Sequence, residues 1–406
     1  MRPFEDVRIV DLTHVLSGPF CTYQLALLGA DVIKIEEPVH GDYMRRRGSD
    51  NRLRERHMGD HFLSQNANKR SLAIDLKDPR GASLVRRLAV DADVLTENFR
   101  PGVAAGLGLS YEDLSADNPG LIYLSLTAYG GGGPQSGRGA YDNVVQAAAG
   151  MMSGTGVPGS GPLKTGTPVL DYASGAMAAF AVASALFQRT HTNRGQFIDM
   201  SMQDTAILLM GTAVMNELHG GKTHKPHGND HALAAASCYE ASDGELIMLG
   251  CCTQTQFEQL CRLLDRDDLA ADPRFRDVNR QDPYRDELVA ELAAVMRTRT
   301  AREWEASLAD TVPAARVGTL RETLTSEHLQ ERGVLQKLPV TAGAGAGITV
   351  PAAAFSFAED GPRIDRSPPV LGEHSKDILM EAGLNEADIA TLVRDGVVAT
   401  PAVSSD

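Results

Sequence analysis

The chain has 406 residues, 43% of them hydrophobic, 23% charged and 5% aromatic, with a formal net charge of −14. That length supports two domains and a sizeable core, and the acidic balance excludes a general nucleic-acid or acidic-membrane surface; a polyanionic ligand would need a local basic pocket. Cys21, Cys238, Cys251, Cys252 and Cys261 show no C-x-x-C spacing, which excludes a disulfide scaffold or zinc knuckle.

Val7 to Leu12 reads as a strand, Gly18-Pro19 opens a helix running to Leu28, and Asp31 to Glu36 is a second strand. This βαβ unit predicts a Rossmann-like parallel sheet. Its turn, Thr13 to Pro19, lacks G-x-G-x-x-G, so NAD and FAD are not expected. Residues 40–70 are irregular and rich in basic residues (Arg45, Arg46, Arg47, Arg52, Arg54, Arg56, Lys69, Arg70), either a solvated face or a phosphate site. Then come the strand Ser71 to Leu76, a helix from Pro79 to Val90 and the strand Asp93 to Asn98. Asn98-Phe99-Arg100 ends that last strand, where open α/β sheets bind ligands. The strand Gly120 to Thr127 runs into Gly130–Gly133, which is an anion cradle, a flap or a plain turn.

A helix begins near Asp142, and a second follows Thr165-Gly166-Thr167-Pro168-Val169-Leu170-Asp171. Asp171 is expected at the N-cap of that second helix, bonded to its free N–H groups and kept ionised by the helix N-terminus. So placed, it is either a plain cap or a nucleophile. The strand Gly195 to Met200 and a helix from Asp204 to Leu218 follow. His224, His227 and His231 lie in a Gly/Lys/His linker without a carboxylate ligand pattern, so no metal is expected. The divisions read as a large domain over 1–218, a linker over 219–237, a smaller α+β domain over 238–332 and a segment over 333–406 returning to the first. The smaller domain carries a strand from Glu245 to Gly250 and helices Gln254–Leu264, Pro283–Arg297 and Ala301–Asp310. Val334 to Phe357 is strand-like. The charged N-terminus lacks an apolar signal core, and no run reaches about 18 uninterrupted apolar residues, so a cytoplasmic, non-membrane protein is expected.

Several motifs occur in order: IVDLTHVLSGP (9–19), GADVIKIE (29–36), NKRSLAIDLKDPRG (68–81), ENFRPG (97–102), AYDNVVQA (140–147), the Asp171 stretch, RGQFIDMSMQD (194–204) and LGEHS (371–375). Together they make the chain resemble the family III CoA transferases, the CaiB/BaiF family that includes formyl-CoA transferase and carnitine CoA-transferase. The resemblance implies that CoA moves from an acyl-CoA to a small carboxylic acid through anhydride and aspartyl-CoA intermediates on Asp171, with no metal or resident cofactor. It further implies a CoA site lined by Leu16, Ser17, Ile74, Asp75, Leu76, Lys77, Asn98, Phe99, Arg100, Gly139, Ala140 and Tyr141. Asp142 takes a positioning role or caps its own helix. The family's interlocked homodimer is implied as well. Glu37 and Gly106 depart from the basic residues expected towards adenosine, and the family's glycine-only active-site loop has no counterpart in 219–231. The rival on the same fold is an α-methylacyl-CoA racemase, which needs a His/Asp pair; Tyr141 stands where racemases carry histidine.

Overall fold

The computed structural model describes residues 1–339 and 347–401. Residues 340–346, inside the strand-like stretch 334–357, lie outside them. Six parallel strands form the frame: β1 (Arg8–Asp11), β2 (Asp31–Glu36), β3 (Arg70–Ile74), β4 (Val94–Glu97), β5 (Ile122–Thr127) and β6 (Gln196–Ser201). Their spatial order is β3-β2-β1-β4-β5-β6, and two residues near the C-terminus, Val398–Ala399, add an antiparallel edge strand to β3. Both faces of the central strands are covered, so Ile9, Val10, Val94 and Leu95 are wholly buried, which accounts for their unbroken apolar sequence.

The strand order reverses between β1 and β4, each of which pairs in parallel with the other. The crevice beyond their carboxyl ends is where sheets of this topology take ligands. Helix α1 (Ser17–Leu27) leaves β1 there, and α2 (Pro79–Val90) follows β3. Further on, α3 (Asp142–Ala148) precedes α4 (Val169–Thr192). The sixth strand is followed by two helices, Met202–Leu209 and Gly211–His219, where the sequence suggests one. The helical bonding of the first ends at Met210.

Helix α4 buries Leu170, Ser174, Ala178, Val182 and Ala185, a stripe at helical spacing, against the sheet and α1. By length and composition alone it could cross a membrane, although this stripe is packed inside the fold. Its opposite face leaves Phe180 and Phe187 exposed, at 67% and 69%. Gly175 is what lets α4 approach α1, because a Cβ there would lie 2.5 Å from the Ser17 carbonyl oxygen.

Two compact units emerge: Met1–Met151 with Lys164–Lys222 and Glu331–Asp406, and Met152–Leu163 with Thr223–Gln330. The segment Met152–Leu163 therefore groups with the second unit, whereas the sequence reading ran the large domain unbroken to 218. In the second unit a three-stranded antiparallel sheet packs with helices around Phe257, Phe275, Leu292 and Trp304. The indole of Trp304 donates to the Met296 carbonyl at 2.8 Å.

Candidate active site

Every residue of the candidate site belongs to the first unit. Helix α4 begins at Val169, with Pro168 at its N-cap position and no cap from its own side chains. Asp171 is thus the third helical residue and not the cap expected from the sequence. The free N–H groups of that first turn are satisfied from elsewhere: Leu170 and Asp171 donate to Oδ2 of Asp142 at 2.7 and 3.1 Å. Asp142 is the first residue of α3, behind Tyr141, so it caps the next helix and not its own. Gln146, one turn along α3, donates to Asp142 Oδ1 and to Thr165 Oγ1 and accepts the Thr165 N–H at 3.0 Å. This clip holds the approach to α4 against α3.

The electrostatics differ from the sequence expectation too. Burial, and secondarily the Asp142 charge, push the Asp171 carboxyl up to about 7 from its ordinary value. The helix N-terminus therefore does not leave Asp171 a low-pKa acid. Two carboxyl groups meet at one helix start, and the one that caps takes the N–H bonds.

Asp171 stands where two cavities meet. One, about 340 Å³, runs from Asp171 past Leu16, Ser17, Gly139 and Ala140 to Asn98, Phe99 and Arg100, along the β1/β4 crevice. The other, about 600 Å³, extends from Asp171 towards Tyr43, Met44, His61, Ser64 and Lys164 to Pro168. Val15, Leu16, Tyr141 and Asp171 line both. Ser17 opens α1, whose first-turn N–H groups have no intrahelical acceptor. Ser17 Oγ is buried without a hydrogen-bond partner among the described residues.

The residues expected to bind CoA fall into two neighbouring groups. Leu16, Ser17, Asn98, Phe99, Arg100, Gly139, Ala140 and Tyr141 line the 340 Å³ cavity. Ile74, Asp75, Leu76 and Lys77 line a separate hollow of about 120 Å³ with Glu37, and His14 and Phe99 are common to both spaces. The His14 and Phe99 rings lie 5.9 Å apart and mark the boundary. Asn98 offers the cavity little of its amide, since it accepts the His14 N–H at 2.9 Å and donates to the His14 carbonyl at 2.8 Å. Lys77 is exposed at the rim, while Tyr141 is 67% exposed. The Gly130–Gly133 run is pinned at its start, because Gly131 donates to both carboxylate oxygens of Asp199 at 2.9 Å. Among the described residues no group of three or more His, Cys, Asp or Glu side chains has a metal-holding arrangement.

Sequence reasoning missed Val15. It is a β-branched residue at φ +73°, a left-handed conformation rarely adopted outside glycine, and it lies between the two cavities. Nothing in its local sequence signals that geometry; the bonds that impose it come from residues 42 and 65.

The model of CoA-transferase family III matches residues 4–375. The chain belongs to that family. It is 34% identical to the succinyl-CoA:glutarate CoA-transferase of Mus musculus over 402 residues, covering 98% of this chain and 91% of the relative. It is 33% identical to the succinate–glutarate CoA-transferase of Agrobacterium fabrum, over 93% of this chain and 95% of that one. The solved structure of a CaiB/BaiF family protein from Brucella suis superimposes with a TM-score of 0.81 at 33% identity, over 94% of this chain and 99% of that one. The protein is accordingly an enzyme, a CoA-transferase acting on CoA thioesters, with the CaiB/BaiF fold.

Proposed function

We propose that this family III CoA-transferase moves CoA between two carboxylic acids through covalent intermediates on Asp171. The observation that carries the reading is the position of Asp171 at the junction of two cavities, one on the switch-point crevice and one facing Lys164 and His61. CoA occupies the first and the acids the second.

An oxygen of ionised Asp171 attacks the thioester carbonyl carbon. The carbon–sulfur bond breaks, leaving an aspartyl–acyl anhydride and CoA thiolate. The thiolate attacks the Asp171 carboxyl carbon, releasing the donor acid as its carboxylate and forming an aspartyl-CoA thioester. The acceptor carboxylate attacks that thioester and expels the thiolate, which then takes the acyl carbon of the new anhydride and restores Asp171. Each addition places negative charge on a carbonyl oxygen, and the N–H groups opening α1 supply donors for it. With Asp171 held up at about 7, its anion is weakly solvated, which suits a nucleophile working at neutral pH. Asp142 is a positioning residue: its bonds to the Leu170 and Asp171 N–H groups fix the start of α4.

The acceptor is read as a dicarboxylic acid of four or five carbons, with a succinyl-type CoA donor. Lys164 lines the larger cavity and gives a distal carboxylate a cationic partner, with His61 as a further hydrogen-bonding group, and the relatives named above act on succinate and glutarate. A racemase is disfavoured by Tyr141 in the position of the catalytic histidine. The family's interlocked homodimer completes the proposal, supported by the exposed Phe180, Phe187, Leu208 and Leu218; a stable monomer in light scattering at micromolar concentration would refute it.

Incubation with succinyl-CoA, borohydride or hydroxylamine trapping, and peptide mass spectrometry test the mechanism. An adduct on the peptide containing Asp171 is expected, and turnover with no modification there rejects covalent catalysis.

A further inference from the structure

The turn between β1 and α1 is held against its own preference. Val15 at φ +73° lies in the left-handed region that a β-branched residue disfavours, so something must hold it there. Its N–H donates to Oδ1 of Asp42 at 3.3 Å, and its carbonyl accepts from Nε2 of Gln65 at 2.9 Å. Asp42 is wholly buried, and so is Lys34, whose ammonium lies 3.0 Å from Asp42 Oδ2. Lys34 also donates to the Thr13 carbonyl at 2.8 Å, so the same cation ties down the turn two residues earlier. Asp42 in turn donates its own N–H to Glu36 at 3.0 Å, and Glu36 is gripped by Arg45 through two bonds of 2.7 and 2.6 Å.

A buried ionic network with this many interlocking bonds is more than one ion pair needs for stability, since such pairs contribute little net free energy. Its outermost carboxylate ends on the backbone of the strained residue that walls both cavities.

We propose that Asp42, assisted by Gln65, is a positioning residue for the transfer reaction: by holding Val15 in the left-handed conformation it fixes Leu16 and Ser17 against Asp171. The inference rests on the functional reading above, because it assigns the turn to the chemistry on Asp171. Neither Asp42 nor Gln65 touches the reacting atoms; each acts through Val15.

Glycine adopts φ +73° without steric cost, so it removes the need for a clamp. Asp42→Ala, which removes the oxygen that accepts the Val15 N–H, is expected to lower kcat for CoA transfer about 30- to 100-fold, the scale of a displacement near 1 Å in a reacting group. Adding Val15→Gly to it should restore kcat to within about fivefold of wild type, and Val15→Ala, which keeps a Cβ, should restore much less. A purely structural role for Asp42 as the partner of Lys34 would not be rescued by a change at residue 15.

Should Asp42→Ala fail to fold, Gln65→Met leaves the ionic network whole and removes one bond to the Val15 carbonyl; the same loss and the same glycine rescue are expected. A single variant within threefold of wild-type kcat, or a double variant no better than its parent, overturns the proposal. Wild-type protein without CoA exchange would instead sink the functional reading. The clamp would still be read by hydrogen exchange, as lost protection of residues 13–17 in Asp42→Ala or Gln65→Met; unchanged protection in both overturns it.

Discussion

Glu36 and Asp171 are acids of the same unit, taken out of water to comparable ends of the sheet and helix, and they behave in opposite ways. Around Glu36 burial alone would raise the carboxyl, but the Arg45 guanidinium, with two hydrogen bonds, and the Lys34 charge hold it down at about 2. Around Asp171 burial acts in the same direction, and the nearest charge is another acid, Asp142, so the carboxyl rises to about 7. One region satisfies its acid with cations and becomes a rigid foundation. The other leaves its acid short of partners, and that deficit is what a substrate can relieve. The fold keeps its paired acids beneath β1–β3 and, on the proposed mechanism, its reactivity at the start of α4.

The largest expected effect comes from removing the reactive member. Asp171→Asn should cut CoA exchange by at least about 10⁴-fold, as losing a nucleophile does, with exchange assayed by mass. The same variant should be the more stable protein above neutrality. The folded-state pKa of Asp171 lies above its unfolded value, so the stability associated with the protonated acid is present below about pH 4 and is lost as pH rises through 7. The variant's advantage in a urea melt should thus open between pH 4 and pH 8, towards roughly 4 kcal/mol.

Breaking the rigid region has the reverse signature. Arg45→Met leaves Glu36 buried and uncompensated, and should cost about 3–5 kcal/mol in chemical denaturation. Glu36 has a depressed pKa, so its stabilisation is present above about pH 4.5 and is lost as pH falls towards 2. Arg45→Met should abolish that acid limb of the stability profile.

Lys164→Met tests the acceptor reading: loss of one charge-assisted bond should raise KM for a dicarboxylate about tenfold and leave a monocarboxylate nearly unaffected. The smallest change is expected from Asp142→Asn, which keeps an oxygen for the helix start and removes the charge. Because burial contributes more than Asp142 to the shift, the acidic limb of kcat/KM should move down by about one pH unit or less. A larger move would mean that the acid pair, and not burial, sets the reactivity.

Much of this was legible from residue order. The parallel strands and the helix Pro79–Val90 follow from apolar runs and caps, and the motif series pointed to Asp171. The error at Asp171 has a local cause. An Asp before an apolar helix reads as a cap, but the acid that supplies the cap lies 29 residues earlier, and Pro168 lets the helix begin two residues before Asp171. Propensity sees only neighbours, whereas Asp142 reaches α4 through tertiary structure. Val15 was hidden for the same reason. The arginine cluster of 40–70 was ambiguous in sequence, and Arg45 turns out to be wholly buried on Glu36 while Arg52 stays in solvent.

The edge strand at Val398–Ala399 bears on how the protein is made. Beside it, the Pro369 carbonyl accepts from Arg45 and the Gly372 N–H donates to Ser71, contacts spanning more than 300 residues. The first strands leave the ribosome long before these partners exist, so β3 waits with an open edge until residues 398–399 emerge. The large unit therefore closes only after residue 399 has been made, and a chain interrupted before residue 398 would leave β3 poised to pair with the wrong neighbour.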